Sequence, residues 1–144
     1  MSAKSAAEKR PAVLFVCVKN GGKSQMAAGL MKHEAGNAIA VTSAGTKPGT
    51  AINALSAEVL LNLGIDISDE KPKPLTEENM RAAGHVVVLG TEATVPALDG
   101  VEIEVWDTDE PSRRGIEGRA RMELVRDDIH ARVKDLKNRI LASQ

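Results

Sequence analysis

The spacing of apolar residues changes several times along the chain, and each change marks an element. Ala12-Val13-Leu14-Phe15-Val16 is a continuous apolar run rich in β-branched residues. Such a run predicts a strand buried on both faces, as in a parallel sheet. From Ser24 the period lengthens. Met26, Ala27, Leu30 and Met31 recur at helical spacing, and Ser24 stands where a cap is expected. Ile39 to Ser43 predicts a second strand, ended by Gly45. After the Pro48-Gly49 turn, Ser56, Val59, Leu60 and Leu63 predict a helix that stops at Gly64. Thr76 and Asn79 form a cap and third-position pair for a short helix to about Ala83. His85 to Gly90 is a third buried strand. Val101, Ile103 and Val105 alternate with Glu102 and Glu104, which predicts a fourth strand at a sheet edge. From Ile116, the residues Met122, Val125, Ile129, Val133, Leu136 and Ile140 keep a 3.6-residue period, predicting one long helix. Strands alternating with helices in this order predict an α/β fold of three layers around a four-stranded parallel sheet.

Residues 1–10 are small, polar and basic, and predict a flexible leader. Residues 11–144 predict a single domain, since 144 residues suit one core. The leader has no apolar stretch of the signal-peptide kind, and no run reaches the length of a membrane span. A cytoplasmic protein without a membrane partner is expected. Basic and acidic residues nearly balance, at 19 against 20, and aromatics are 1% of the chain. Neither feature supports nucleic-acid binding, which needs a positive field or stacking platforms. Cys17 is the single cysteine, so an internal disulfide is impossible and a cysteine-rich zinc site is excluded. His33, His85 and His130 lack metal-ligand spacing, and no metal or bound cofactor is expected.

The chemistry concentrates between the first strand and the first helix. Cys17-Val18-Lys19-Asn20-Gly21-Gly22-Lys23-Ser24 joins a buried strand to a helix through a glycine-rich turn. That arrangement gathers backbone N–H groups and a helix N-terminus into a cradle for a tetrahedral oxyanion. The same dipoles favour a thiolate at Cys17, with Ser24 as a donor to sulfur and Lys23 as a nearby positive charge. Gly22-Lys23-Ser24 also matches the end of a nucleotide-binding loop. Cys17 replaces that motif's first glycine, however, and the strand Val86–Leu89 ends in Gly90 instead of a magnesium-holding Asp.

The other reading is a cysteine followed, after five residues, by a basic residue and Ser. On these residues the chain resembles the low-molecular-weight protein tyrosine phosphatase superfamily and its arsenate reductase branch. The resemblance extends over Val13–Asn20, Ser24-Gln25-Met26-Ala27, Ser43-Ala44-Gly45-Thr46, Gly64–Ser68, Val86–Leu89, Trp106–Pro111 and Arg126–Ile129. Three departures narrow it. Lys23 stands where the family's loop arginine is usual, Glu110-Pro111 where an Asp-Pro acid is usual, and the region after Leu89 lacks the cysteines of a disulfide cascade. A member with one cysteine must borrow a thiol. The resemblance therefore implies the mycothiol-coupled arsenate reductases, which join arsenate to mycothiol and leave reduction to a mycoredoxin.

By that resemblance, Cys17 is the nucleophile and Lys23 and Ser24 assist it. Glu110 is the matched general acid, with Asp107 and Asp109 as competitors. Residues Val18, Lys19, Asn20, Gly21, Gly22 and Lys23 bind the oxyanion. Asn20 is expected to hold a left-handed turn in the loop, and Ser43 to brace it by bonding Asn20. Arsenate, mycothiol as co-substrate and mycoredoxin are the expected partners. Two alternatives stand beside this reading: a phosphatase acting on phosphotyrosine or small phosphomonoesters, and a non-catalytic oxyanion-binding protein. Lys in place of Arg removes the planar bidentate fork on which phosphomonoester transfer relies, which disfavours the first.

Overall fold

A computed structural model describes residues 10–143. Its four strands are β1 (Ala12–Cys17), β2 (Ala40–Gly45), β3 (His85–Leu89) and β4 (Glu102–Trp106). All pair in parallel, in the order β2-β1-β3-β4. The helices are α1 (Lys23–Ala35), α2 (Ala54–Leu61), α3 (Glu77–Ala83) and α4 (Gly118–Ala142). Helix α1 lies on one face of the sheet with α2 and α4 around it, and α3 lies on the other. The expected three-layer α/β/α fold with a four-stranded parallel sheet is the fold observed.

Side chains alternate across a strand, and β1 shows why its sequence is apolar at every position. Val13 and Phe15 enter the larger core with Met26, Leu30, Ile129 and Val133. Leu14 and Val16 enter the smaller core with Met80, Val86 and Val88. Trp106 closes β4 against Phe15, their ring centroids 5.8 Å apart at 55°, so it anchors the loop that follows. Helix α4 buries Val125, Ile129, Val133, Leu136 and Ile140, the stripe that its period predicts.

Several local expectations hold and several shift. The Thr76–Asn79 capping box is formed, with both reciprocal bonds at 3.0 Å. Helix α2 begins earlier than its apolar spacing indicates, because Asn53 caps it by accepting from the Ser56 N–H at 2.9 Å. The long helix begins at Gly118, two residues later than expected, after a 3₁₀ turn at Pro111–Arg114 that ends in left-handed Gly115. Strand β4 is an edge strand as expected, but Val105 is 57% exposed. Of the expected leader, residues 1–9 lie outside the described residues, while Arg10 donates to the Asn37 carbonyl at 3.0 Å. Among the described residues, no helix is long and apolar enough to cross a membrane, and no group of His, Cys, Asp and Glu is placed to hold a metal.

Candidate active site

The sheet order places β1 between β2 and β3, so the chain leaves β1 and β3 towards opposite sides. In an open parallel sheet this is where ligands bind, at the carboxyl ends of the strands. Cys17 ends β1 at that point, and α1 begins six residues later.

The loop between them is shaped by a strap from residues 46–53. The carbonyls of Cys17, Val18, Lys19 and Gly21 accept from the N–H groups of Thr46, Lys47, Gly49 and Asn53, at 3.1, 2.8, 3.0 and 2.7 Å. A trans peptide holds its N–H opposite its carbonyl. Turning these four carbonyls outward therefore turns the N–H groups of Val18, Lys19, Asn20 and Gly22 inward. The Asn20 N–H shows this directly, donating to Cys17 Sγ at 3.3 Å. The first N–H groups of α1 add donors that no helical carbonyl can reach. Two glycines let the strap approach this closely. A Cβ on Gly45 would stand 2.7 Å from the Val18 carbonyl oxygen, and one on Gly21 would stand 2.8 Å from that of Ala51.

Asn20 is the hub of the loop. It is fully buried and takes the left-handed conformation, φ +53°, as expected of its short amide side chain. Its Nδ2 donates to Ser24 Oγ at 2.7 Å. Its Oδ1 accepts from the Lys73 N–H at 2.9 Å and from Gln25 Nε2 at 3.2 Å. A backbone N–H can only donate, so the Lys73 contact fixes which end of the amide is oxygen. Ser24 Oγ accepts from Asn20 and lies 2.9 Å from Cys17 Sγ, which leaves its own proton for the sulfur. Two donors thus converge on Cys17.

This geometry corrects two expectations. Ser24 is not the cap of α1. That position is Gly22, without a side-chain cap, and Ser24 lies inside the helix with its hydroxyl turned to Cys17. Ser43 does not bond Asn20. The register pairs Ser43 with Phe15, two residues short of the end of β1, and it is Gly45 that abuts Asn20. Ser43 Oγ instead accepts from Lys73 Nζ at 3.4 Å. Sequence reasoning also missed two supports. Gln25, 1% exposed, ties the Asn20 carbonyl to that of Lys71 at 3.1 and 3.3 Å. Lys73 holds Asn20 through its backbone, and burial pushes its ammonium below the ordinary lysine range. Gln25 belongs to the Ser24-Gln25-Met26-Ala27 stretch of the resemblance, but its bracing role has no sequence signal beyond an amide inside an apolar helical stripe.

The acidic loop sorts its three carboxylates. Glu110 accepts from Arg121 Nε and Nη2 at 2.8 and 2.9 Å and from Ser112 Oγ at 2.7 Å. Arg121 foremost, then Ser112, lower its carboxyl to about 2. Asp109 is paired with Arg114, at 2.8 and 3.1 Å. Asp107 lines a small cavity of about 30 Å³ with Lys23, Gly90, Thr91, Thr108 and Glu110, space for about one water. The buried hydroxyl of Thr108 has no partner among the described residues. On the loop's other side lies a groove of about 540 Å³ between residues 49–56 and the start of α4, and Lys23 borders it too. Outside the site, His85 lies against Glu102 and Glu104, and His130 against Glu34.

A thiol in a glycine-rich loop after a central parallel strand, with an acidic loop after the edge strand at the same end of the sheet, defines a class. The chain belongs to the low-molecular-weight phosphotyrosine protein phosphatase family, whose profile matches residues 12–144. Within it, the chain is similar to proteins named arsenate reductases. The glutaredoxin arsenate reductase of Synechocystis sp. is 31% identical over 129 residues, 86% of this chain and 94% of that one. The solved thioredoxin-dependent arsenate reductase of Corynebacterium glutamicum is 35% identical with a TM-score of 0.82, over 98% of this chain and 66% of that longer one. A solved arsenate reductase in its phosphate-binding state is 27% identical with a TM-score of 0.77, over 90% of this chain and 98% of that one.

Proposed function

We propose that this protein is a thiol-dependent arsenate reductase of the transferase kind, joining arsenate to mycothiol for later reduction by a mycoredoxin. The observation that carries the reading is Cys17, the chain's single thiol, held by Ser24 and Asn20 beneath an inward-turned ring of N–H groups. The names of the similar proteins support arsenate as the oxyanion.

In this reading, arsenate oxygens take the N–H groups of residues 18–23. Cys17 sulfur attacks arsenic, and a hydroxide leaves as water with a proton from the acidic loop. The mycothiol thiolate then attacks arsenic, and the arsenic–Cys17 bond breaks with its electron pair returning to sulfur. Arsenic stays pentavalent through both steps. Reduction follows off the enzyme. A mycoredoxin thiolate attacks the sulfur of the adduct, the sulfur–arsenic bond breaks with its pair left on arsenic, and arsenite and a mixed disulfide form. Lys23 contributes charge to the cradle without arginine's planar fork. A route in which thioredoxin attacks an internal disulfide requires a second thiol, and this sequence has one cysteine.

The test measures arsenate consumption with mycothiol plus mycoredoxin beside p-nitrophenyl phosphate hydrolysis. Arsenate turnover without comparable hydrolysis is expected. Hydrolysis without arsenate turnover would make the protein a phosphatase. Neither activity, with oxyanion binding retained, would make it a binding protein.

A further inference from the structure

Arg121 stands between the two cavities that flank the loop. Through Nε and Nη2 it grips Glu110, which borders the small cavity beside Lys23. Arg121 itself borders the large groove, with Lys19, Lys23, Thr50, Ala51 and Met122. Its Nη1 has no hydrogen-bond partner among the described residues, and a guanidinium offers five N–H donors, so the pair with Glu110 leaves donors to spare. The groove's volume, about 540 Å³, is that of a small-molecule site. Its rim offers three cations and a hydroxyl, and Met122 and Ala51 supply apolar surface. That lining suits an organic molecule rich in oxygen acceptors. It adjoins the anion loop through Gly21, Gly22 and Lys23, so an occupant has a short path to a bound oxyanion.

We propose that this groove seats the low-molecular-weight thiol co-substrate by its acceptor oxygens, and that Arg121 couples that seating to Glu110. The proposal rests on the reading above, in which one cysteine obliges the enzyme to borrow a thiol. In the empty protein Glu110 is ionised and cannot donate a proton. When the thiol's oxygens draw Arg121 towards the groove, Glu110 loses its strongest partner and takes up a proton from solvent. It then passes that proton to the hydroxide leaving arsenic, which departs as water. The other charged groups around Glu110 are Lys23 from α1, Glu92 after β3, and Asp107 and Arg113 from its own loop, with Glu117 beside Arg121. Once Arg121 has turned away, the acids among them oppose ionisation of Glu110, while Lys23, Arg113 and the Ser112 hydroxyl still favour it, so its carboxyl rises from the value that Arg121 imposes without exceeding the ordinary carboxylate range. Arg121 is thus a positioning residue for the acid and a binding residue for the thiol.

The probe is S-methyl mycothiol, which fills the groove without reacting, with S-methyl glutathione as a second arm. Binding is followed by calorimetry at pH 5 in two buffers of different ionisation heat. The wild type is expected to take up a measurable fraction of a proton per site, at most about 0.2, the fraction of an unperturbed Glu protonated at that pH. Glu110→Gln is expected to bind more tightly than the wild type, since Arg121 no longer has to leave a carboxylate, and to show no uptake. Arg121→Met is expected to bind about tenfold more weakly, with Arg121→Lys in between, and the KM for mycothiol is expected to rise in parallel while kcat changes less. Of the two arms, the tighter identifies the thiol class. Binding without proton uptake in the wild type, or undiminished binding by Arg121→Met, would overturn the coupling even if arsenate turnover with mycothiol is robust. Absence of turnover with any small thiol would instead remove the functional reading on which the proposal stands.

Discussion

The two loops of the site are built from opposite materials. The Cys17 loop is held by neutral hydrogen bonds: four strap N–H groups on its carbonyls, and the buried side chains of Asn20, Ser24 and Gln25 within it. The Glu110 loop is held by partly exposed ion pairs, Arg121 on Glu110 and Arg114 on Asp109. Buried hydrogen bonds are costly to leave unmade, so the first arrangement is rigid. Exposed ion pairs contribute little each and exchange readily with solvent or ligand, so the second can rearrange. A rigid cradle suits the non-reacting oxygens of a tetrahedral anion. In the proposed reaction, a movable acid suits a step that waits for the second substrate.

The largest effect is expected at the sulfur. Cys17→Ser is nearly isosteric and retains a hydrogen-bonding group beside Ser24. It is expected to lower arsenate turnover by at least about a thousandfold while leaving the thermal unfolding midpoint nearly unchanged. Steady-state kinetics beside a melting curve check both halves. Asn20→Ala attacks the hub. It strips partners from Ser24, Gln25 and the Lys73 N–H together, and it puts a residue without a side-chain amide at a positive φ. A loss of about 2–4 kcal/mol in stability is expected from the unsatisfied buried groups, with turnover falling about a hundredfold as the loop loses its shape. Denaturant titration checks the first figure.

Gly45→Ala should cost less, about 1–3 kcal/mol, because one methyl group against the Val18 carbonyl forces a backbone shift. Its informative readout is a weakened affinity for arsenate, since the shift falls on the cradle. The smallest effect lies on the other loop. The Glu110 carboxyl is about 2 in the folded protein against the ordinary 4.5, so its stabilising contribution is complete above pH 4.5 and is lost as pH falls through 2. Glu110→Gln is therefore expected to flatten part of the acid limb of the stability profile between those values. At pH 7 it lowers stability only modestly, since the pair with Arg121 is about a quarter exposed. Acid unfolding of the two proteins side by side measures it.

The fold was legible because its signals are local and periodic. Both faces of β1 are covered, so every one of its residues had to be apolar, and the stripe on α4 repeats five times. The loop that surrounds Cys17 was legible because a thiol, two glycines and a helix start occur together in the sequence. What escaped was contact across long separations. Lys73 lies 53 residues from the Asn20 that it holds, and Arg121 lies 11 residues beyond Glu110, on another element. Ser43 was misplaced for a similar reason. A strand's residues are readable, but a register against its neighbour is not, and two residues of register separate Ser43 from Gly45. Glu110 was identified by matching a motif, and no motif carries the information that an arginine holds it ionised.

In the proposed reaction, arsenate passes from the Cys17 loop to a thiol that the protein does not own. Mass spectrometry of a reaction containing only protein, arsenate and mycothiol, with no mycoredoxin, tests it most directly. The expected result is a soluble arsenic–mycothiol adduct that accumulates over many turnovers, with no arsenite until mycoredoxin is added. Arsenite released with thioredoxin and its reductase as the only thiol source, and no adduct with mycothiol, would contradict it.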